Sequence, residues 1–426
     1  MRRALLALGL LFAGGPALAQ PLTLEQALVS VAEAHPDMLM AEADRAIALA
    51  ERDLAGARGD WNLNLEAGLR RARPTIGPDA VSDNTLRLNA RKSIYDFGRT
   101  AFAEQAAESV LAAREAALLD MRSRRRLDVM ARFFDILLAD MQFAADNEYM
   151  AVAYVNQDNA RYRLEVGQIA AADLAEVENA YQDSLLKRNA AQLRQRISRA
   201  QLASAMNRPG QLNAELVDPV LAGNNRALPE FEALLPLLRA RNPRLAAMRA
   251  QLAAATQRIE AVRADKSPAL DLELEGAGYS REALTRDAVR AGVVLTWPLY
   301  TGRRVDAQMA KEQAQFQRLQ AEAAKLELDL EQMMLENWLE IGELQRTART
   351  AAKKHSDYRD HALERARGQY EVELKTNLGD SMAATMAAKV RERRTEYQLA
   401  LAFARLEALL GRPVESAGAE NKGQTK

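Results

Sequence analysis

From Arg99 to Val166 the chain contains no glycine and no proline, the residues that most often punctuate a helix. Read as one helix, that stretch reaches roughly 100 Å at about 1.5 Å per residue, far beyond the few turns usual in globular proteins. A compact soluble domain has no room for it. Leu127, Met130, Phe134, Leu137, Met141 and Ala144 recur at alternating spacings of three and four, a heptad seam. Nearer the start Ala103, Ala106, Val110, Ala113 and Ala117 keep the rhythm with small side chains, which lets neighbouring backbones approach. Such a helix needs long partners, and one follows at once. Gln168 to Arg208 again lacks glycine and proline, and Leu174, Val177 and Tyr181 begin a new seam. The pair predicts an antiparallel hairpin turning at Val166-Gly167-Gln168-Ile169, with Asp173 near the positive end of the return helix, where a carboxylate is favoured.

Composition narrows the class. The 426 residues carry 58 basic and 58 acidic side chains, which argues against nucleic acid as the main partner. Aromatics are 5%, while alanine, leucine, arginine, glutamine and glutamate abound, the usage of long helices. With no cysteine, disulfides, thiolate chemistry, sulfur-ligated metals and N-terminal lipidation fall away. Met1-Arg2-Arg3, an apolar run from Ala4 to Ala13 and an Ala17-Leu18-Ala19 end predict a secretory signal peptide over 1–19. No later stretch has the apolar length of a transmembrane helix.

Two segments change period. From Trp61 to Arg70 the apolar Trp61, Leu63, Leu65, Ala67 and Leu69 alternate with Asn62, Asn64, Glu66, Gly68 and Arg70. That is a strand with one apolar and one polar face. After a loop with Pro74, Gly77, Pro78 and Asp79, a second strand sets Leu86, Leu88, Ala90 and Ile94 against Arg87, Asn89, Arg91 and Ser93. The hairpin ends at Tyr95-Asp96-Phe97-Gly98. The second half repeats this order: Asn242-Pro243 answers His35-Pro36, Ala269-Leu270-Asp271-Leu272-Glu273-Leu274 answers Asn62-Leu63-Asn64-Leu65-Glu66-Ala67, and Leu299-Tyr300-Thr301-Gly302-Arg303 answers Ile94 to Gly98. A further long helix, broken only by Gly342 and Gly368 up to Tyr370, carries the seam Phe316, Leu319, Ala323, Leu326, Leu330 and Met333. A second tip is expected between Tyr370 and Asp380.

The expected organisation is a signal peptide at 1–19, a first repeat at 20–209, a linker or equatorial segment at 210–228, a second repeat at 229–413 and a polar tail at 414–426. Within the repeats lie helices at 22–59 and 229–266, β-hairpins at 61–95 and 269–299, and long helical hairpins at 99–208 and 303–411. Each repeat supplies two strands of the length that crosses a bilayer when tilted. Four such strands are too few to close a barrel, and an open edge in lipid leaves backbone groups unpaired at several kcal/mol apiece. The chain must therefore oligomerise to seal its sheet. The long helical hairpins then bundle outside the bilayer, continuing the pore as a duct.

On the Leu22-Thr23-Leu24-Glu25-x-Ala27-Leu28 opening, the two strand-to-helix junctions, the Val166-Gly167 tip and the duplication, the chain resembles the TolC-type outer-membrane efflux family over its mature length. The resemblance implies a mixed fold, with a periplasmic α-barrel of long antiparallel helical hairpins and four transmembrane strands per protomer in a 12-stranded β-barrel. It implies a homotrimer in the outer membrane, in contact with outer-membrane lipid, docking onto a periplasmic adaptor and an inner-membrane pump or secretion ATPase. No cofactor is implied. The family uses a Val-Gly-Leu-type turn in adaptor contact, matched here by Val166-Gly167-Gln168, with Val372 and Glu373 at the other tip. It places a tyrosine, a basic residue and acids at a periplasmic gate, matched by Tyr370, Lys375 and Asp380; Glu373 stands where a glycine is usual. The competing reading of each is a turn or a solvated helix end.

Gly98 and Gly302 fall where strand becomes helix, a turn that a side chain would obstruct. Arg87, Arg91 and Arg290 take the polar, lumen-facing register, suited to tuning ion selectivity. Trp297 and Tyr300 suit either an interfacial aromatic belt or packed strand ends. Arg122, Arg124, Arg125 and Arg126 read as a solvated helix face rather than a binding patch. Catalysis is not expected: His35, His355 and His361 are not spaced for a metal, and neither a phosphate-cradling glycine loop nor a Gly-x-Ser-x-Gly elbow occurs. The alternative from another class is a soluble periplasmic coiled-coil scaffold or adaptor, with the alternating segments as a small peripheral sheet.

Overall fold

The computed structural model describes residues 21–32, 35–73, 80–208, 210, 215–281, 286–372 and 377–413. The expected signal peptide and tail, and Glu373 and Lys375 at the second tip, lie outside them. The chain opens with α1 (Leu24–Val29), started by a capping box in which Thr23 and Gln26 each bond the other's backbone. Next comes α2 (Pro36–Gly56), where His35 Nδ1 accepts from the Asp37 N–H at 3.2 Å. In the second half Asn242 holds the same place before α6 (Pro243–Arg263), its Oδ1 accepting from Arg244 and Leu245. The two X-Pro pairs are thus helix starts, each a side-chain cap followed by a proline that needs no donor. Between them in the chain lie α3 (Arg99–Glu165) and α4 (Ala171–Ala205), and α5 (Phe231–Arg241) precedes α6.

The strands are β1 (Asn62–Gly68), β2 (Arg71–Ala72), β3 (Val81–Ser82), β4 (Thr85–Tyr95), β5 (Ala269–Tyr279) and β6 (Val289–Thr296). They form one antiparallel sheet in the order β1-β4-β5-β6, joining the two halves of the chain through β4 and β5. The β2/β3 ladder was not expected: part of the long polar loop is itself paired, Arg71 with Ser82 and Ala72 with Val81.

Helix α3 packs against α2, α4, α6 and α9 (Leu378–Leu410). Because it has neighbours on several sides, its burial does not follow one seam. Phe134 and Leu137 of the expected seam are buried, but so are Val129, Phe133 and Ile136 beside it, and Ala144 is exposed. Arg125 corrects the reading of the basic run. Arg122, Arg124 and Arg126 are exposed, while Arg125 is buried, donates to the Ala205 carbonyl and faces Asp128 and Asp37. It ties the middle of α3 to the end of α4.

The second long helix is also not continuous. It is built as α7 (Arg304–Glu343), a π turn at Leu344–Ala348 and α8 (Arg349–Glu371). At the wider turn Gln345 Nε2 donates to the carbonyls of Asn224 and Arg226 at 3.1 and 2.9 Å. Those carbonyls belong to the segment expected as a linker, whose described part is an ordered strap. Leu22 bridges to Leu216, Asn224 is buried and donates to Glu396, Arg226 pairs with Glu407, and Arg349 pairs with Glu396 at 2.6 Å. Asp218 accepts from the Tyr397 hydroxyl at 2.8 Å and pairs with Arg393. The Tyr397 ring stacks on Phe134 at 4.5 Å, and burial pushes its phenol well above the ordinary value. Two cores lie at this level. One joins α1 to the middle of α3 and the end of α4 through Val129, Phe133 and Leu202; the other joins α5 to α7 and α9 through Leu234, Met334 and Phe403.

Candidate functional site

The candidate site begins at the sheet. In β1 and β4 the pairs Leu63 with Ala90, Leu65 with Leu88 and Ala67 with Leu86 share one face, and the pairs Asn62 with Arg91, Asn64 with Asn89 and Glu66 with Arg87 share the other. The apolar face continues across Leu272 and Leu274 of β5 to Val293 and Ala291 of β6. It is open: Leu65 is 68% exposed and Val289 79%. Among the described residues nothing in a single copy covers it, and both outer strands, β1 and β6, present an unpaired backbone edge. In water such a face and such edges promote association; in lipid the face is matched and only the edges need partners.

The opposite face gathers Arg87, Arg91 and Arg290, the expected lumen positions, and compensates them. Arg91 reaches Asp271 at 2.5 Å and Glu273 at 3.7 Å, Arg87 lies 3.9 Å from Glu275, and Arg290 pairs with Asp287 at 3.1 Å. The acidic members, which sequence analysis did not single out, come from β5 and from the turn before β6. Those of β5, Asp271, Glu273 and Glu275, fall on the face of the arginines, a signal present in the alternation of β5.

At the helix end of the sheet, backbone geometry explains the junctions. Phe97 and Gly98 have φ of 54° and 90°, and Gly302 and Arg303 have φ of 62° and 64°. Each corner takes two successive left-handed residues, with glycine second in one and first in the other. Asp96, missed in the sequence, caps α3 by accepting from the Gly98 and Thr100 N–H groups. Arg99 then pairs with Asp265 below β5, and Lys266 with Asp306 of α7, where the ammonium holds the Asp306 carboxyl below the usual range. Aromatics collect here too: Trp61, Tyr95, Phe97, Trp297 and Tyr300 are all exposed.

The first helical tip is a tight exposed turn. Gly167 has φ 73°, the Gln168 N–H reaches back to the Arg163 carbonyl at 2.7 Å, and Asp173 accepts from the Ala170 N–H at 2.9 Å. Val166, Gly167 and Gln168 face solvent. At the second tip Tyr370 and Val372 are exposed at the end of α8, and Asp380 is exposed in the first turn of α9. Among the described residues neither Tyr370 nor Asp380 makes a side-chain bond. Gly379, in the first turn of α9, packs closely on α3: a Cβ there would lie 2.6 Å from Val152 Cγ2. Measured along α3, that contact falls about 20 Å short of the first tip.

Residues 234–412 match the family described as Outer membrane efflux protein. The second half of the chain thus carries the sequence pattern of that family. Three solved structures of outer-membrane proteins share this fold over nearly the whole chain. VceC from Vibrio cholerae matches with a TM-score of 0.74 at 18% identity, covering 92% of this chain and 96% of that one. CmeC from Campylobacter jejuni gives 0.74 at 14%, covering 95% and 89%. MtrE from Neisseria gonorrhoeae gives 0.72 at 18%, covering 91% and 89%. No curated protein sequence matches the chain. All three solved structures are described as outer-membrane proteins or channels. Among the described residues no helix is long and apolar enough to cross a membrane.

Proposed function

We propose that three copies of this chain close one barrel in the outer membrane and conduct cargo outward as the exit duct of an efflux pump or type I secretion system. The observation that carries this reading is the four-stranded sheet with one bare apolar face and two open edges. Every pairing in it is antiparallel, so β6 of one copy meets β1 of the next in the same sense, and three copies make a twelve-stranded wall within the range of membrane barrels. The arginine and carboxylate face then lines the lumen, and the helical hairpins continue the passage into the periplasm. VceC, CmeC and MtrE, all outer-membrane proteins by description, support the same assembly.

In this reading a signal peptide over 1–19 exports the chain. Val166, Gly167 and Gln168, with Val372 and Glu373, contact a periplasmic adaptor, and Tyr370, Lys375 and Asp380 form the periplasmic gate. The chain has no native cysteine, so placed cysteines report cleanly. With Leu65→Cys on β1 and Val293→Cys on β6, a bifunctional maleimide should give a ladder ending at three chains, and the purified oligomer should conduct in a planar bilayer. A chain that stays single in detergent, or a wild type that never conducts, overturns the proposal.

A further inference from the structure

The short β2/β3 ladder lies in line with β1/β4. Asn62 pairs with Arg91, Gly68 with Thr85, and Arg71 with Ser82, all in one unbroken register, and the Asp83 N–H donates to the Arg70 carbonyl between them. Alternation therefore carries through Leu69 and Arg70 into β2. Leu63, Leu65, Ala67 and Leu69 form the lipid-facing column, and the next two residues in that column are Arg71 and Arg73, both exposed. Arg70 turns the other way, with Asp83. The polar change falls at the same level on the neighbouring strands: opposite Leu69 stands Asn84, whose N–H donates to the Ser280 hydroxyl at 2.7 Å.

The other end of the column is also marked. Trp61 and Lys92 share the level below Leu63 and Ala90, and the Lys92 ammonium lies 5.8 Å from the centre of the Trp61 ring, on the apolar face. From Trp61 to Arg71 the strand line runs about 34 Å, or about 26 Å along the membrane normal at a tilt of about 40°. That equals the height of the apolar band of a membrane barrel. Cations thus stand on the lipid side at both ends of the band, where headgroup phosphates lie. Among the described residues Arg71 has no ion pair, unlike the lumen arginines 87, 91 and 290.

We propose that Arg71, with Arg73 beyond it, binds the phosphate of a lipid headgroup in the outer leaflet, with Lys92 meeting the opposite leaflet. The guanidinium forks onto phosphate oxygens at the rim while Leu69 packs on the acyl chain beneath, so the contact fixes the barrel's height in the membrane. This rests on the membrane-channel reading above, and the experiment separates the two. The full-length oligomer is purified in detergent, and its retention of phosphatidic acid is measured by native mass spectrometry, with inorganic phosphate as the free-anion control. Arg71→Gln with Arg73→Gln should weaken retention by about fivefold per arginine, while Arg87→Gln with Arg290→Gln, the same charge change on the lumen face, leaves it unchanged. The Arg71/Arg73 variant should still conduct. Equal retention by the Arg71/Arg73 variant and wild type, or displacement of the lipid by millimolar inorganic phosphate, overturns this proposal alone; a wild type that does not conduct overturns the channel reading instead.

Discussion

Gly98 and Gly302 hold equivalent corners in different company. A Cβ on Gly98 would lie 2.9 Å from the Phe102 ring, at φ 90°, whereas around Gly302, at φ 62°, the space is open. A left-handed backbone costs an L-residue about 1–2 kcal/mol. Gly302→Ala should therefore destabilise by about 1 kcal/mol, and Gly302→Asn by less, since asparagine tolerates this region. Gly98→Ala adds the ring contact and should cost visibly more. The midpoint of thermal unfolding in detergent checks the order; equal losses would show that the Phe102 contact yields freely. Both glycines were legible in the sequence because a strand must turn there into a helix. Arg125 was not: it sits among three exposed arginines, and only the arrival of the Ala205 carbonyl from α4 distinguishes it.

The strands were the most legible elements, because one face is apolar and the other polar, and a period of two survives in the sequence. The long helices were legible in extent, from the lack of glycine and proline, but not in packing. Residues such as Val129 and Ile136 face neighbours that a single heptad seam does not anticipate. The π turn left no clear signal either, since its cause lies elsewhere in the chain, in the strap carbonyls that Gln345 satisfies. Gln345→Ala removes both bonds, at about 1 kcal/mol each. Hydrogen exchange should then speed up across 222–226, while the amides of α3 and α4 keep their protection. Unchanged exchange in the strap would mean that Asn224 and the Arg226–Glu407 pair hold it unaided. The β2/β3 ladder escaped notice because its flanking loop is rich in proline and glycine, which pointed away from pairing.

For the assembled molecule, the gate proposed at the second tip can be tested by conductance. Tyr370→Phe combined with Lys375→Ala should raise single-channel conductance in a planar bilayer, and unchanged conductance would remove these residues from the gate. If the polar face lines the lumen as proposed, Arg87, Arg91 and Arg290 add little preference of their own, because each already faces a carboxylate. In that reading the choice of cargo falls to the adaptor proposed to dock on the helical tips. The strand directions settle one more matter. β1 leaves the helical end and β6 returns to it, so a neighbour added by antiparallel pairing stands the same way up, and an inverted one would need a parallel seam. In the proposed ring the polarity of assembly is thus written into each subunit: every copy added keeps its helices on one side, and the orientation across the envelope is inherited from a single hairpin rather than decided when the last copy arrives.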